Sequence, residues 1–580
     1  MRRVPSVCAF SSLRRFVPPG VAAIACLTLA RADSRLPTTG PVVQLPAFTV
    51  VETRILPPPE SWRYAQAPGF EILSNAPDST TERLVHSFLL FHQAVEAVWP
   101  TARMNAEVTA SLILCRSADR FAEFVPANMV NEAGHTLSLC LQDREDAAIV
   151  VNLEDPDSVD LSGMSGFSKR LLHDEYVHFL VGRIGPRTPP WLESSLVTLF
   201  GAMLYDDSQF GLPAIEDPDL AARKAFAAAK PAQKPTDAFS VTPLANDPAF
   251  NAAVKAGSFM PFEQLFAADS EGLEAADSPR ARECYEFVHL CLFGSQMEFR
   301  TAFLNFAYLA AREPVTEALF RQCFKKGYEE MLTALWGYTD YAEIRGFKLQ
   351  DDAGHPMPAI PALALRQAAD AESARVRGEV QRMAGRTDEA RRSLIAPFVR
   401  GSRDPQLLAA LGLAEHAAGR DERAGKFLEA AIAARTSRAR AYVEFARLRY
   451  LEALSKPAAA GGRLGAGQIA SVLQPLFMAR SLQPHLPDLY ELIAQTWSHA
   501  SVEPTAGNLG AVDEGVLLFP YDTDLVYTDA QLQAQAGRKA PATALSDIGL
   551  QFAPDAGTRE RFSRLKDSLL PKAPNSNEPR

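Results

Sequence analysis

His173, Asp174, Glu175 and His178 stand close together in the run Leu171-Leu172-His173-Asp174-Glu175-Tyr176-Val177-His178. A zinc hydrolase needs two metal ligands one helical turn apart, with a carboxylate beside the first to take a proton from metal-bound water. The H-E-x-x-H motif encodes that need. Glu175 and His178 hold its second and last positions here, and the first position is Asp174. His173 is no substitute: it lies roughly 140° around a helix from His178, whereas Asp174 and His178 nearly eclipse. Glu-x-x-His alone is a weak signal, and it recurs at Glu286–His289. Each residue also has a plain structural reading, His178 as a hydrogen-bonded core histidine and Glu175 as a solvated or ion-paired helix acid. No G-x-S-x-G elbow, phosphate-binding loop or G-x-G-x-x-G run offers rival chemistry.

Downstream, Pro189-Pro190-Trp191-Leu192-Glu193-Ser194-Ser195-Leu196 opens a second helical run. Together the two segments resemble the gluzincin metallopeptidases, which read H-E-x-x-H and then P-x-W-L-x-E-G-L-A-E-Y-F. Phe70–Asn75, Leu112–Phe124 and Tyr285–Gly294 resemble further segments of that family, so the resemblance spans about residues 61–345. It implies an α+β fold with a small sheet and a larger helical part, and a zinc site with Glu175 as general base. Trp191 and Leu192 match the family. The third-ligand position, however, is Ser194, and Ser195 and Thr198 replace the following Gly and Glu.

Two readings follow. In the first, zinc binding is lost, no cofactor is expected and the domain is a pseudopeptidase, because serine is a poor zinc ligand and a lone histidine cannot hold the ion. In the alternative, Asp174, His178 and Glu193 form a non-standard metal site, zinc is the cofactor and Glu175 activates water. Geometry weighs against the alternative: burial of Leu192, Leu196, Leu199, Phe200 and Met203 fixes a rotation that turns Glu193 about 100° from Ser194, away from the site.

The elements that would position these residues are legible in outline. Phe70–Leu73, Val108–Leu114, Thr136–Leu141 and Ala147–Asn152 read as strands. Ser79–Val98 reads as an amphipathic helix, capped by Ser79 or Thr80, with Leu84, Phe88, Phe91 and Val95 on one face. Helices dominate from Phe167, with a loop at 230–260 and later helices at Glu283–Phe293, Phe299–Ala311 and Glu317–Leu335.

Beyond Pro356, Pro358 and Pro361 an internal repeat appears. Ala384-Gly385-Arg386 recurs 34 residues later as Ala418-Gly419-Arg420, and Pro520 and Pro554 are also 34 apart, with Ala536-Gly537-Arg538 at the turn between them. A helix–turn–helix period of this length resembles the tetratricopeptide repeat, which implies an α-solenoid that binds peptide or protein partners. Lys456–Gln468 (KPAAAGGRLGAGQ) interrupts the array as a flexible insertion.

At 580 residues the chain has room for several domains, and 47% hydrophobic with 22% charged residues suits a globular protein. Residues 1–32 read as a signal peptide, with Arg2, Arg3, Arg14 and Arg15 before the apolar Val21–Leu29 and the small-x-small Ala30-Arg31-Ala32. Its removal takes away five arginines and no acid, moving the formal charge from −10 to −15. The expected location is therefore outside the cytoplasm, in a periplasm or extracellular space, with no transmembrane segment in the mature chain. No basic tract supports nucleic-acid binding. Cys115 and Cys140 read either as a disulfide pair or as buried thiols.

The expected layout is thus a signal peptide (1–32), a proline-rich linker (33–60), a gluzincin-like and inactive peptidase domain (61–345), a linker (346–365) and tetratricopeptide-like repeats (366–570). The whole is α+β and mainly helical. The expected function is an exported, inactive peptidase-like protein that binds peptide or protein partners through the repeats and a vestigial cleft.

Overall fold

The computed structural model describes residues 45–46, 61–100, 110–154, 167–211, 260–341, 348–350 and 360–569, apart from short internal gaps. The signal peptide, most of the linker at 33–60 and nearly all of the loop at 230–260 lie outside the described residues.

Among the described residues five strands come first: β1 (Arg63–Ala67), β2 (Phe70–Ser74), β3 (Ala110–Cys115), β4 (Ser138–Gln142) and β5 (Ala147–Asn152). Helix α1 (Asp78–Val98) joins β2 to its parallel neighbour β3, the crossover that a parallel pair requires. Leu84, Phe88, Phe91 and Val95 are all buried along it. Its start departs from expectation: Pro77 occupies the N-cap with no side-chain cap, while Asp78 accepts hydrogen bonds from Arg63 Nε and Nη2 at 2.9 and 2.8 Å. The short α2 (Ala118–Ala122) follows β3.

The candidate motif lies on α3 (Phe167–Ile184) and α4 (Pro190–Gly201). Strands β6 (Leu204–Tyr205), β7 (Gln209–Gly211) and β8 (Lys348–Gln350) make a small second sheet. Between β7 and β8 run α5 (Phe262–Leu265), α6 (Pro279–Phe293), α7 (Arg300–Ala310), α8 (Glu317–Phe324) and α9 (Tyr328–Tyr341). The single helix expected at Glu317–Leu335 is two helices. Lys325 adopts φ +58°, a left-handed cap that ends α8 before Gly327.

Strand β9 (Arg366–Gln367) pairs with β1, completing a mixed sheet in the order β4-β5-β3-β2-β1-β9. Side chains alternate between its faces, as the period of two demands. Ile72, Leu112, Leu114, Ile149 and Val151 pack with α1, α3 and α4 in the main core. Leu73, Ile113, Ala148 and Val150 pack on the other side with Trp62, Phe121 and, from the repeat region, Val376 and Val380 of α10 (Asp370–Met383). The segment expected to open the repeat array therefore also covers one face of the sheet and supplies its edge strand.

Cys115 and Cys140 are both free. Strand β5 lies between their strands, and they face Asn152 and Ile149 of β5 respectively, too far apart to bond.

The array continues with α11 (Thr387–Val399), α12 (Pro405–Ala417), α13 (Asp421–Ala433), α14 (Ala439–Ser455), α15 (Ala466–Ala479), α16 (Pro487–Ser498), α17 (Ala506–Leu518), α18 (Thr523–Gln535), α19 (Lys539–Phe552) and α20 (Ala556–Leu569). The repeat is written in its turns. Gly385, Gly419 and Gly537 have φ of +73°, +71° and +74°, and after each one an arginine amide returns to a carbonyl of the preceding helix. These bonds, Arg386 to Gln381, Arg420 to Glu415 and Arg538 to Gln533, measure 2.8 to 2.9 Å and cap the helices alike. The helix pairs also touch at repeat-equivalent points. A Cβ on Gly378 would lie 2.6 Å from Leu394, and one on Gly412 would lie 2.7 Å from Leu428. These are tetratricopeptide-like repeats.

Gly412→Ala should accordingly destabilise the chain by about 1–3 kcal/mol through overpacking, read as a lower urea midpoint. Gly467→Ala, whose Cβ meets nothing within 4 Å, should leave the midpoint unchanged or raise it.

Lys456–Gln468 is tied down more than expected. Leu464 is fully buried and pairs with the strand-like backbone at Ala500, and Gln468 accepts from Ala458 N and Gly465 N at 2.9 and 3.0 Å.

Candidate functional site

One side of α3 is built for the core. Leu172, Tyr176, Val177, Phe179 and Leu180 are buried, and Tyr176 Oη meets His92 Nδ1 at 2.5 Å. His173 belongs to this side as well: it is 5% exposed and stacked on Phe91 at 3.8 Å between centroids. Glu175 and His178 sit on the opposite side, one turn apart, and line a cleft of about 1140 Å³.

Helix α4 is anchored by Trp191, which is fully buried among Phe266, Phe287 and Phe306. That anchor fixes what its first turn offers. Glu193 Oε1 lies 2.9 Å from His178 Nδ1, so Glu193 faces the cleft, contrary to the rotation expected from the sequence. The burial of Leu192, Leu196, Leu199, Phe200 and Met203 is as expected. What the pattern within α4 could not give is its rotation relative to α3. Ser195 turns back into its own helix, donating to Trp191 O at 2.7 Å. Asp174 is directed toward the end of α4, with Oδ1 3.1 Å from where a Cβ on Gly201 would stand.

Glu175 Oε1 accepts a hydrogen bond from Ser138 Oγ on β4 at 2.7 Å. Burial pushes its carboxyl above the usual range, with Asp174 adding to the effect and Ser138 and His178 opposing it. His178 is moved toward its charged form: its hydrogen bond to Glu193 favours the imidazolium and raises the pKa against a cost from burial. In an NMR titration His178 should titrate above the ordinary 6.5, and Glu193→Gln should lower that value. An unchanged value would mean that the two side chains do not meet. The pair adds little to stability because both side chains are more than two-fifths exposed. What it adds is present at low pH and is lost as pH rises through the folded value.

One imidazole and one carboxylate bond to each other, and among the described residues no three His, Cys, Asp or Glu side chains are gathered to hold a metal ion. The second Glu-x-x-His, at Glu286–His289, is a core feature. His289 is 1% exposed, bonds Tyr338 Oη through Nδ1 at 2.7 Å, and is held by burial at a pKa of about 4.

The far wall of the cleft comes from the repeats: His485, then Glu491 of α16, then Phe519, Tyr521 and Asp522 between α17 and α18. Arg312 bridges the two walls. Its Nη1 donates to Ile184 O at the end of α3 at 2.6 Å, and its guanidinium lies over Tyr308 and Tyr521 at 3.6 and 5.0 Å. Ser138, Arg312, His485 and Tyr521 carry no motif, and their distance from α3 along the chain hides them from sequence reading. A second cavity of about 540 Å³ lies between the sheet and α10, bordered by the starts of α12 and α14. Pro484 borders both cavities.

No family model matches this sequence, and comparison with curated proteins gave no match. Among solved structures, a thermophilic TPR protein of Thermus thermophilus aligns at 17% identity and TM-score 0.25, covering 34% of this chain and 98% of its own. The pilF protein of Pseudomonas aeruginosa aligns at 14% identity and TM-score 0.24, covering 34% of this chain and 90% of its own. Among the described residues no helix is long and apolar enough to cross a membrane.

Proposed function

We propose that this chain is an exported, non-catalytic binding protein of peptidase-like ancestry, which takes peptide or protein segments into a cleft shared by α3, α4 and the repeat array. One observation carries the reading: the face with Glu175, His178 and Glu193 and the repeat face with His485, Glu491 and Tyr521 line the same open cleft of about 1140 Å³. That is above the volume of a site for one small molecule, roughly 300–1,000 Å³, and is suited to an extended segment. Against catalysis stands the state of His178, whose Nδ1 is engaged by Glu193, together with serine at the third-ligand position. The alternative of an active metal-dependent peptidase draws on Glu175, a carboxyl with a raised pKa on the wall of the cleft.

The test is to incubate the full chain, with zinc supplied, with a mixed library of short unstructured peptides and to follow both binding and cleavage by mass spectrometry. Retention of intact peptides, weakened by Tyr521→Ala, is the expected result. Turnover that depends on Glu175 would overturn it.

A further inference from the structure

The inner face of the repeat array is already occupied. The residues bordering the smaller cavity come from α10 and from the starts of α12 and α14, the first helices of successive pairs, so these helices face the sheet. Into that face project Asp143, Glu145 and Asp146, the described residues between β4 and β5, in the sequence Asp-Arg-Glu-Asp. Asp143 Oδ1 accepts from the amides of Glu145 and Asp146 at 2.9 and 2.8 Å, fixing the turn's shape.

Its three carboxylates each meet the array. Arg382 of α10 pairs with Asp143 at 2.7 Å and reaches Asp146 at 3.6 Å. Arg438, at the start of α14 and 8% exposed, pairs with Glu145 at 3.3 Å and also with Asp146 and with Glu379 of α10. Arg440 N donates to Glu145 Oε1 at 3.1 Å. Two arginine side chains and a backbone amide from two helix pairs thus read acids at positions i, i+2 and i+3 of one short segment.

We propose that the inner face of the repeat array is a receptor for acidic chain segments, that the β4–β5 turn is its built-in occupant, and that a partner reaching this face carries carboxylates at the turn's spacing and competes with it. The proposal rests on the reading that the array takes up chain segments, and it names their class. Charge-assisted, geometrically matched contacts of this kind set specificity and make binding depend on salt.

The test uses the full chain with its turn neutralised (Asp143→Asn, Glu145→Gln, Asp146→Asn) and a labelled peptide of residues 141–148, followed by fluorescence polarisation. The neutralised chain should bind the peptide at least about tenfold more tightly than the unaltered chain, whose seat is filled. Added salt should weaken that binding, and Arg438→Gln in the same background should abolish it. If the neutralised chain binds a peptide with Asn and Gln in place of the acids equally well, segment binding stands and the acid-reading receptor falls. If it is folded and binds no peptide of any charge, both readings of the array fall. Should the triple variant fail to fold, hydrogen exchange of the unaltered chain replaces it. Excess acidic peptide should then speed exchange at the amides of β5, and unchanged exchange overturns the proposal.

Discussion

Replacing Arg438 with methionine is expected to destabilise the chain by about 3–5 kcal/mol, the cost of removing one partner from a buried ionic network. Arg438 joins Glu145, Asp146 and Glu379, which are themselves mostly buried, and it stands where the sheet meets the array. Nearby, Arg375 pairs with Glu71 of β2 and, at 3.1 Å, with Glu379. Deleting Arg438 strips Glu145 of its guanidinium partner and leaves it the Arg440 amide, so the loss should exceed that of a surface ion pair several-fold. The measurement is urea unfolding of the full chain, together with hydrogen exchange at residues 147–152, which should quicken in the variant. A midpoint within error of the parent would mean that the network does not hold the two parts together.

Asp529→Asn is expected to change stability in the opposite direction, and in a way that depends on pH. Asp529 is fully buried on α18, where Gln533 Nε2 donates to it at 3.3 Å and to Asp513 of α17 at 2.8 Å. Burial and the neighbouring Asp513 raise its pKa to about 8 from 3.8. The folded state therefore holds a proton that the unfolded state releases. The contribution of Asp529 to stability is greatest below the unfolded value, falls as pH rises between the two, by up to about 1.4 kcal/mol per unit, and levels off above the folded value. Asparagine keeps the shape without the charge. The variant should be more stable than the parent at pH 8, and the advantage should shrink on moving to pH 5. Equal pH profiles for the two proteins would show that Asp529 does not carry the proton.

Much of this architecture was legible because it rests on local periodicity. The face of α1 follows from Leu84, Phe88, Phe91 and Val95, and the repeat follows from three turn glycines that adopt the same left-handed backbone. Gly378 and Gly412, spaced like the turns, carry the same message through close helix contact. What sequence did not yield depends on partners distant along the chain. β1 (RYAQA) alternates only loosely between apolar and polar residues and pairs along its whole length with its neighbour β2, while β9 is two residues long and exists because it pairs in register with β1 across some 300 residues. The break at Lys325 hides in a helical pattern because one residue's backbone angle makes it.

At the site, Glu175 and His178 share a face as their spacing requires, and Trp191 is the anchor its setting suggested. The placement of Glu193 against His178 was not deducible, because no pattern within α4 states how that helix meets α3. Nor could sequence reveal that His485, Glu491 and Tyr521 of the repeat region line the same cleft as Glu175 and His178.

The most direct test of the central claim, a binding cleft without a catalytic metal, is the metal content of the full chain. The protein and its His178→Ala variant should be purified, incubated with excess zinc, freed of loosely held ion and measured by plasma mass spectrometry. The account predicts well under one zinc per chain, the same in both proteins. One tightly held zinc per chain, lost in His178→Ala, would contradict it.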